Sequence, residues 1–173
     1  LTPPELAYLV EDCGAGVLVT EPMLAPVAAA VRALAPGLTT VIVAEADSDP
    51  SAGVLGYEEL LGEDGDPAPP VDVPNDSPAL IMYTSGTTGH PKGAVLTHTN
   101  LAAQTMTAIY TTGPDINNDV AFVGVPLFHI AGVANLLPGL TLGISTVINP
   151  LGAFDAGQLL DVLAAERVTG LFL

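Results

Sequence analysis

Apolar residues recur along the chain in short blocks, and the spacing inside each block predicts its element. Thr2 reads as a helix cap, with Pro3 at the first position and Glu5 completing a capping box. Leu6, Leu9 and Val10 then share one face, and Gly14 ends the helix. Residues 16–20 read as a short buried strand, 22–34 as an Ala-rich helix limited in its first turn by Pro26, and 39–44 as a β-branched strand. Residues 47–77, rich in Asp, Pro and Gly, read as a long loop with one short helix at 57–61.

The alternation continues beyond that loop. An apolar strand is predicted at 79–84, then a Gly-rich turn and an extended 94–96. Thr97 or Thr99 caps a helix to about Tyr110. A strand at 120–125, an apolar helix at 131–142 kinked by Pro138, a strand at 145–148, an amphipathic helix at 155–167 and a strand at 169–173 complete the order. Helices alternating with buried strands predict an α/β fold: a mostly parallel β-sheet flanked by helices. A chain that stops inside an apparent strand reads as part of a larger domain, residues 1–173 being truncated at both ends.

Charge narrows the partners. Three Lys and Arg face 19 acids, for a net charge of −16, which repels phosphate backbones and excludes nucleic acid as an expected partner. Ten of the acids lie between Glu45 and Asp76 and read as a solvated loop. Arg32 and Arg167 fall in helical patterns, where a solvated surface position is expected, whereas Lys92 sits in a Gly-rich loop. Cys13 is the single cysteine, read as a small packing residue in a protein of a reducing cytosol. The 35 uncharged residues from 120 to 154 are broken by Pro126, His129, Asn135, Pro138, Asn149 and Pro150. They fall short of the roughly 20 unbroken apolar residues of a membrane helix. A cytoplasmic protein is expected, with peripheral membrane association left open.

The candidate chemistry lies in Tyr83-Thr84-Ser85-Gly86-Thr87-Thr88-Gly89-His90-Pro91-Lys92-Gly93. Gly86, Gly89 and Gly93 let backbone N–H groups approach a ligand, Thr84, Ser85, Thr87 and Thr88 offer hydroxyls to oxyanions, and Lys92 adds a point charge on a flexible stem. A strand precedes the loop, so it emerges where ligands gather in α/β sheets. It differs from a Walker A loop, because Pro91 precedes the lysine and Gly93 follows it.

This run, continued by Ala94-Val95-Leu96-Thr97-His98, resembles the AMP-binding signature of the adenylate-forming superfamily. Pro126-Leu127-Phe128-His129-Ile130-Ala131-Gly132 is similar to a later family motif at the acyl pocket. Residues 1–19 and the Phe154-Asp155 helix start also follow the family order, and among members the details most resemble bacterial medium- and long-chain fatty-acid–CoA ligases. The resemblance implies the N-terminal domain of an acyl-CoA synthetase that uses ATP, Mg²⁺ and coenzyme A to convert a carboxylic acid, by this likeness a fatty acid, to its thioester. It places Ser85, Gly86, Thr87, Thr88 and Gly89 around the β- and γ-phosphates, Thr84 on Mg²⁺ or phosphate, and Lys92 on the phosphate charge. It puts His129 near the substrate carboxylate rather than in the role of a base. His90 is expected to be an exposed loop residue and His98 to be structural.

Family parts beyond this chain limit the expectation. A Tyr-Gly-x-Thr-Glu segment, the ribose-binding Asp and the C-terminal domain with its adenylation Lys are absent from these 173 residues, which by themselves are expected to lack ligase activity. Adenylation of an aryl or amino acid, a carrier-protein thiol in place of coenzyme A, and a non-catalytic nucleotide-binding fragment are the alternatives. The oligomeric state is open.

Overall fold

A computed structural model describes residues 1–61, 69–85, 89–149 and 154–172, and of Phe172 the backbone alone. The chain divides into two compact units, Leu1–Asp72 with Ser85–Gly93 and Val73–Thr84 with Ala94–Leu173.

In the first unit the capping signals act as the residue pattern requires. Helix α1 (Pro3–Cys13) begins where Glu5 Oε2 accepts both the Thr2 N–H at 2.7 Å and the Thr2 hydroxyl at 2.9 Å. It ends at Gly14, whose left-handed backbone turns its N–H to the Glu11 carbonyl. Strand β1 (Val17–Thr20), helix α2 (Ala25–Leu34) and strand β2 (Thr40–Val43) follow. Pro22 and Pro26 divide the second helical pattern: Pro22–Leu24 forms a single 3₁₀ turn, and α2 starts at Ala25 with Pro26 in its first turn. Helices α1 and α2 pack together, and Ala7, Ala28, Val31, Ala35, Leu38, Val41 and Val43 make one buried cluster. Leu38 and Val31 are wholly enclosed, worth about 1.5–3 kcal/mol each in apolar transfer.

The acidic stretch holds more structure than a loop. Pro50–Ala52 forms a 3₁₀ turn, strand β3 (Val54–Gly56) adds to β2 in parallel with Val41 opposite Val54, and helix α3 (Tyr57–Leu60) follows. The sheet order is β1-β2-β3, parallel throughout. Three of the acids are used locally. Asp49 Oδ1 accepts the Ser51 and Ala52 N–H groups, Glu58 accepts the Glu45 N–H, and Glu59 the Ser48 N–H at 3.1 Å. Arg32 also departs from a solvated reading, because its guanidinium donates to the Ala52 carbonyl on the β3 approach. Cys13 is exposed at the end of α1 and does not pack. The α1 core face is carried by Leu6, Ala7 and Val10, and Cys13 falls outside it.

Strand β4 (Pro78–Thr84) and strand β5 (Lys92–Thr97), of which Lys92 and Gly93 are counted with the first unit and the rest with the second, form a two-stranded sheet. Helix α4 (His98–Thr112) is capped by Thr97, not Thr99: Thr97 Oγ1 accepts the Asn100 N–H at 3.2 Å, and Asn100 Oδ1 accepts the Thr97 N–H. Thr99 instead donates its hydroxyl to the Asn75 carbonyl, and the His98 N–H goes to Ser77. Strand β6 (Val120–Val123), helix α5 (Ile130–Leu142), strand β7 (Ser145–Ile148), helix α6 (Ala156–Ala165) and strand β8 (Gly170–Phe172) form a parallel sheet of order β7-β6-β8 with its connections. Phe122 and Val123 are buried, so β6 is the central strand in packing as well as in pairing. The mostly parallel α/β architecture stands, divided among three small sheets in the described residues. Among the described residues no helix is long and apolar enough to cross a membrane.

The capping carboxylates make stability pH-dependent. Hydrogen bonds to the ionised form hold Glu5 (from Thr2), Asp49 (from Ser51, then Ala52) and Glu59 (from Ser48) below the usual carboxylate range. A lowered folded pKa gives stability that is complete above the unfolded value near 4 and is lost as pH falls through the lowered values. Relief of the −16 charge on acidification acts the other way, but salt screens it while adjacent hydrogen bonds persist. At high salt, acid unfolding is therefore expected below about pH 4. Glu5→Gln is expected to flatten that limb, and an unaltered acid limb in Glu5→Gln would remove the capping box as its source.

Candidate active-site residues

Strand β4 delivers two hydroxyls to its end. Thr84 is its last residue and Ser85 the next, and both are exposed. Gly86, Thr87 and Thr88 lie outside the described residues. Gly89 has φ 113°, a conformation that side-chain-bearing residues rarely adopt, so the turn back towards β5 requires glycine there. Lys92 is not within the loop: it is the first residue of β5, exposed, with its backbone in the strand. That arrangement narrows where the ammonium can go more than a loop position would. His90 is exposed, as its sequence context suggests, but its ring meets the ring of Tyr8 on α1, centroids 5.0 Å apart and planes tilted by 34°.

In the second unit, β6 leads through Pro126 and Leu127 to His129, the N-cap of α5. His129 Nδ1 accepts the Ala131 N–H at 3.1 Å. An accepting Nδ1 is unprotonated, so the ring proton of the neutral imidazole sits on Nε2, which becomes a donor at the exposed edge of the ring. Phe128 beside it is 76 % exposed, and Ile130 is also exposed. Gly132 fixes this turn. A Cβ there would collide with the Pro126 carbonyl oxygen and lie 2.9 Å from the Leu127 Cα. The final Gly of the Pro126–Gly132 run therefore lets the first turn of α5 close against the chain that carries Phe128 and His129. The sequence signal for the cap was a polar residue directly before an apolar helix, and for Gly132 a small residue three positions later.

The two readings of His129 separate by substitution. His129→Ala is expected to cost about 1 kcal/mol of stability through the lost cap, and His129→Asn to restore it. If the exposed Nε2–H serves the substrate, His129→Asn remains slow in adenylation although stable. Wild-type activity of a stable His129→Asn enzyme would leave His129 a cap and nothing more.

The described residues contain no cluster of three or more His, Cys, Asp or Glu that could hold a metal. By residue type, the hydroxyls of Thr84 and Ser85 and the ammonium of Lys92 suit the phosphates of a nucleotide. A Mg²⁺ ion there would take oxygen ligands from phosphate and water, with the Thr84 hydroxyl as the protein ligand the sequence suggests.

The model of the AMP-binding enzyme family matches residues 1–173, and the chain belongs to that family. It is 36% identical to an indoleacetate–CoA ligase of Aromatoleum aromaticum, over 98% of this chain and 32% of that protein. It is 32% identical to a long-chain-fatty-acid–CoA ligase of Thermus thermophilus, over 98% of this chain and 30% of that protein. It spans about a third of the length of these relatives. Among solved structures, the N-terminal domain of FACL13 from Mycobacterium tuberculosis superposes with a TM-score of 0.80 at 29% identity, covering 97% of this chain and 40% of that one. An anthranilate–CoA ligase in complex with anthranoyl-AMP gives 0.86 at 23% identity over 100% of this chain and 33% of that one, which speaks for the fold alone.

Proposed function

We propose that the intact protein activates a carboxylic acid, a fatty acid by our first reading, to an acyl-adenylate and then to its coenzyme A thioester. The observation that carries this is the strand end that presents Thr84 and Ser85 before the Gly-rich turn and Lys92 after it, in a chain of the AMP-binding family. In the first step a carboxylate oxygen attacks the α-phosphorus of ATP, the bond to the bridging oxygen breaks, and pyrophosphate leaves. Two anions meet, so positioning and charge neutralisation dominate. Thr84, Ser85, Thr87 and Thr88 with the backbone of Gly86 and Gly89 would hold the β- and γ-phosphates, and Lys92 would offset the charge that accumulates on pyrophosphate. The Thr84 hydroxyl would help to hold Mg²⁺, which would supply positive charge to the phosphates. In the second step a thiolate sulfur attacks the acyl carbon and AMP departs. His129 Nε2–H would donate to the acid's carboxylate rather than act as a general base.

A fatty acid suits the uncharged chain of β6, α5 and β7, with Phe128 and Ile130 exposed at the α5 entrance. An aryl acid is the second reading. It is favoured by the relatives named for such acids, the indoleacetate–CoA ligase at 36% and a feruloyl-CoA synthase of Amycolatopsis at 38% identity. Acid-dependent ATP–pyrophosphate exchange by the intact protein decides between them, over fatty acids of several lengths, aryl acids and amino acids. Exchange with fatty acids supports the first reading, exchange with aryl acids alone replaces it, and none from folded protein overturns acid activation by this chain.

A further inference from the structure

The first unit holds a contact that joins its opening helix to the far arm of the Gly-rich loop. Tyr8, half-buried on α1, donates its hydroxyl to the Pro91 carbonyl across 83 positions of sequence, at 3.3 Å. Its ring also meets the His90 ring, as described above. Both ends of the contact are stiff. Helix α1 is set in register by the Thr2–Glu5 box and by Gly14. Pro91 has a fixed φ, and a residue before proline, here His90, is held to extended conformations.

The bonded oxygen is placed to matter. The Pro91 carbonyl lies in the same planar peptide unit as the Lys92 nitrogen and Cα. Holding that oxygen fixes the plane from which Lys92 departs. The ring contact with His90 prevents rotation about the single hydrogen bond. The strand ladder then fixes the chain after Lys92, because Lys92 opens β5. Lys92 is thus supported on one side by sheet pairing and on the other by Tyr8.

We propose that Tyr8 is a positioning residue for adenylation: it holds the His90–Pro91 arm so that Lys92 meets the phosphates in a set geometry. The assignment rests on the reading of Lys92 as a phosphate contact. It gives Tyr8, which no sequence motif marks, a role in ATP use.

The test uses the intact enzyme carrying Tyr8→Phe, which keeps the ring and removes the hydroxyl, and Tyr8→Ala, which removes both. Tyr8→Phe is expected to raise the KM for ATP in pyrophosphate exchange by about five-fold, the worth of one neutral hydrogen bond, and Tyr8→Ala by more. Thioester formation started from pre-formed acyl-adenylate involves no pyrophosphate and is expected to be unchanged in both. Trypsin supplies a readout independent of activity. The Lys92–Gly93 bond is a cleavage site, and its cutting is expected to accelerate in both variants while cutting at Arg32 does not. Equal slowing of both half-reactions, or a faster cut at every site, would make Tyr8 a general structural residue and overturn the proposal. A wild-type KM for ATP in both variants would overturn it as well, provided Lys92→Ala impairs exchange in the same assay. If Lys92→Ala is itself without effect, the phosphate-contact reading fails, and with it the role of Tyr8.

Discussion

Replacing Lys92 with Ala in the intact enzyme is expected to slow acid-dependent ATP–pyrophosphate exchange by about a hundred-fold. A charge-assisted contact is worth about 1.5–3 kcal/mol, and one aimed at charge that grows in the transition state sits at the upper end or beyond. Lys92 is exposed at the start of β5, so its truncation creates no cavity, and the melting temperature should scarcely move. The loss should fall on the adenylation half-reaction and spare thioester formation from pre-formed acyl-adenylate. Lys92→Arg should recover part of the rate, since charge returns but a planar fork replaces a compact ammonium. Unchanged exchange at limiting ATP in Lys92→Ala would take Lys92 out of the site.

The second large effect is expected at Gly132. Glycine within a helix ordinarily costs about 1 kcal/mol relative to alanine, so Gly132→Ala would be stabilising on propensity alone. Here the added Cβ would meet backbone atoms, the Pro126 carbonyl and the Leu127 Cα, which no side-chain rotation can relieve. Over-packing of that kind costs about 1–3 kcal/mol and outweighs the propensity gain. Denaturant unfolding should show the loss, and Gly132→Val should show more. Relief of the clash would push Leu127 to His129 away from the first turn of α5, so activity should fall further than stability. Gly37 is a control: a Cβ there meets nothing within 4 Å, and Gly37→Ala should be near neutral. Equal unfolding midpoints for Gly132→Ala and wild type would show that the turn yields.

Much of the candidate site was legible because its signals are local. A strand followed by a Gly/Ser/Thr run places Thr84 and Ser85 by chain order alone, whereas Lys92, read as part of the loop, opens β5. The Thr2–Glu5 cap was legible for the same reason, whereas the sequence offered Thr97 or Thr99 for α4 and only the structure, through Asn100, chose Thr97. Strand β3 was missed because Val54–Gly56 has three residues, too few to show a period, within an acidic Pro- and Gly-rich stretch. It exists because β2 offers it a parallel edge and because Asp49, Glu58 and Glu59 satisfy the backbone of the approach. Arg32 looked solvated because the Ala52 carbonyl it binds is distant in sequence.

The amino-acid sequence by itself determined the α/β class, the order of the longer helices and strands and the Thr2–Glu5 cap, and it suggested the phosphate-loop chemistry, since each depends on residues within a few positions of one another. Only the tertiary structure decided that β3 joins β2, that Lys92 belongs to a strand, that Gly132 must stay small, that Cys13 is exposed, and that Tyr8 meets Pro91. Each of those depends on which distant backbone or ring comes within contact range, and periodicity along a single chain carries no record of that.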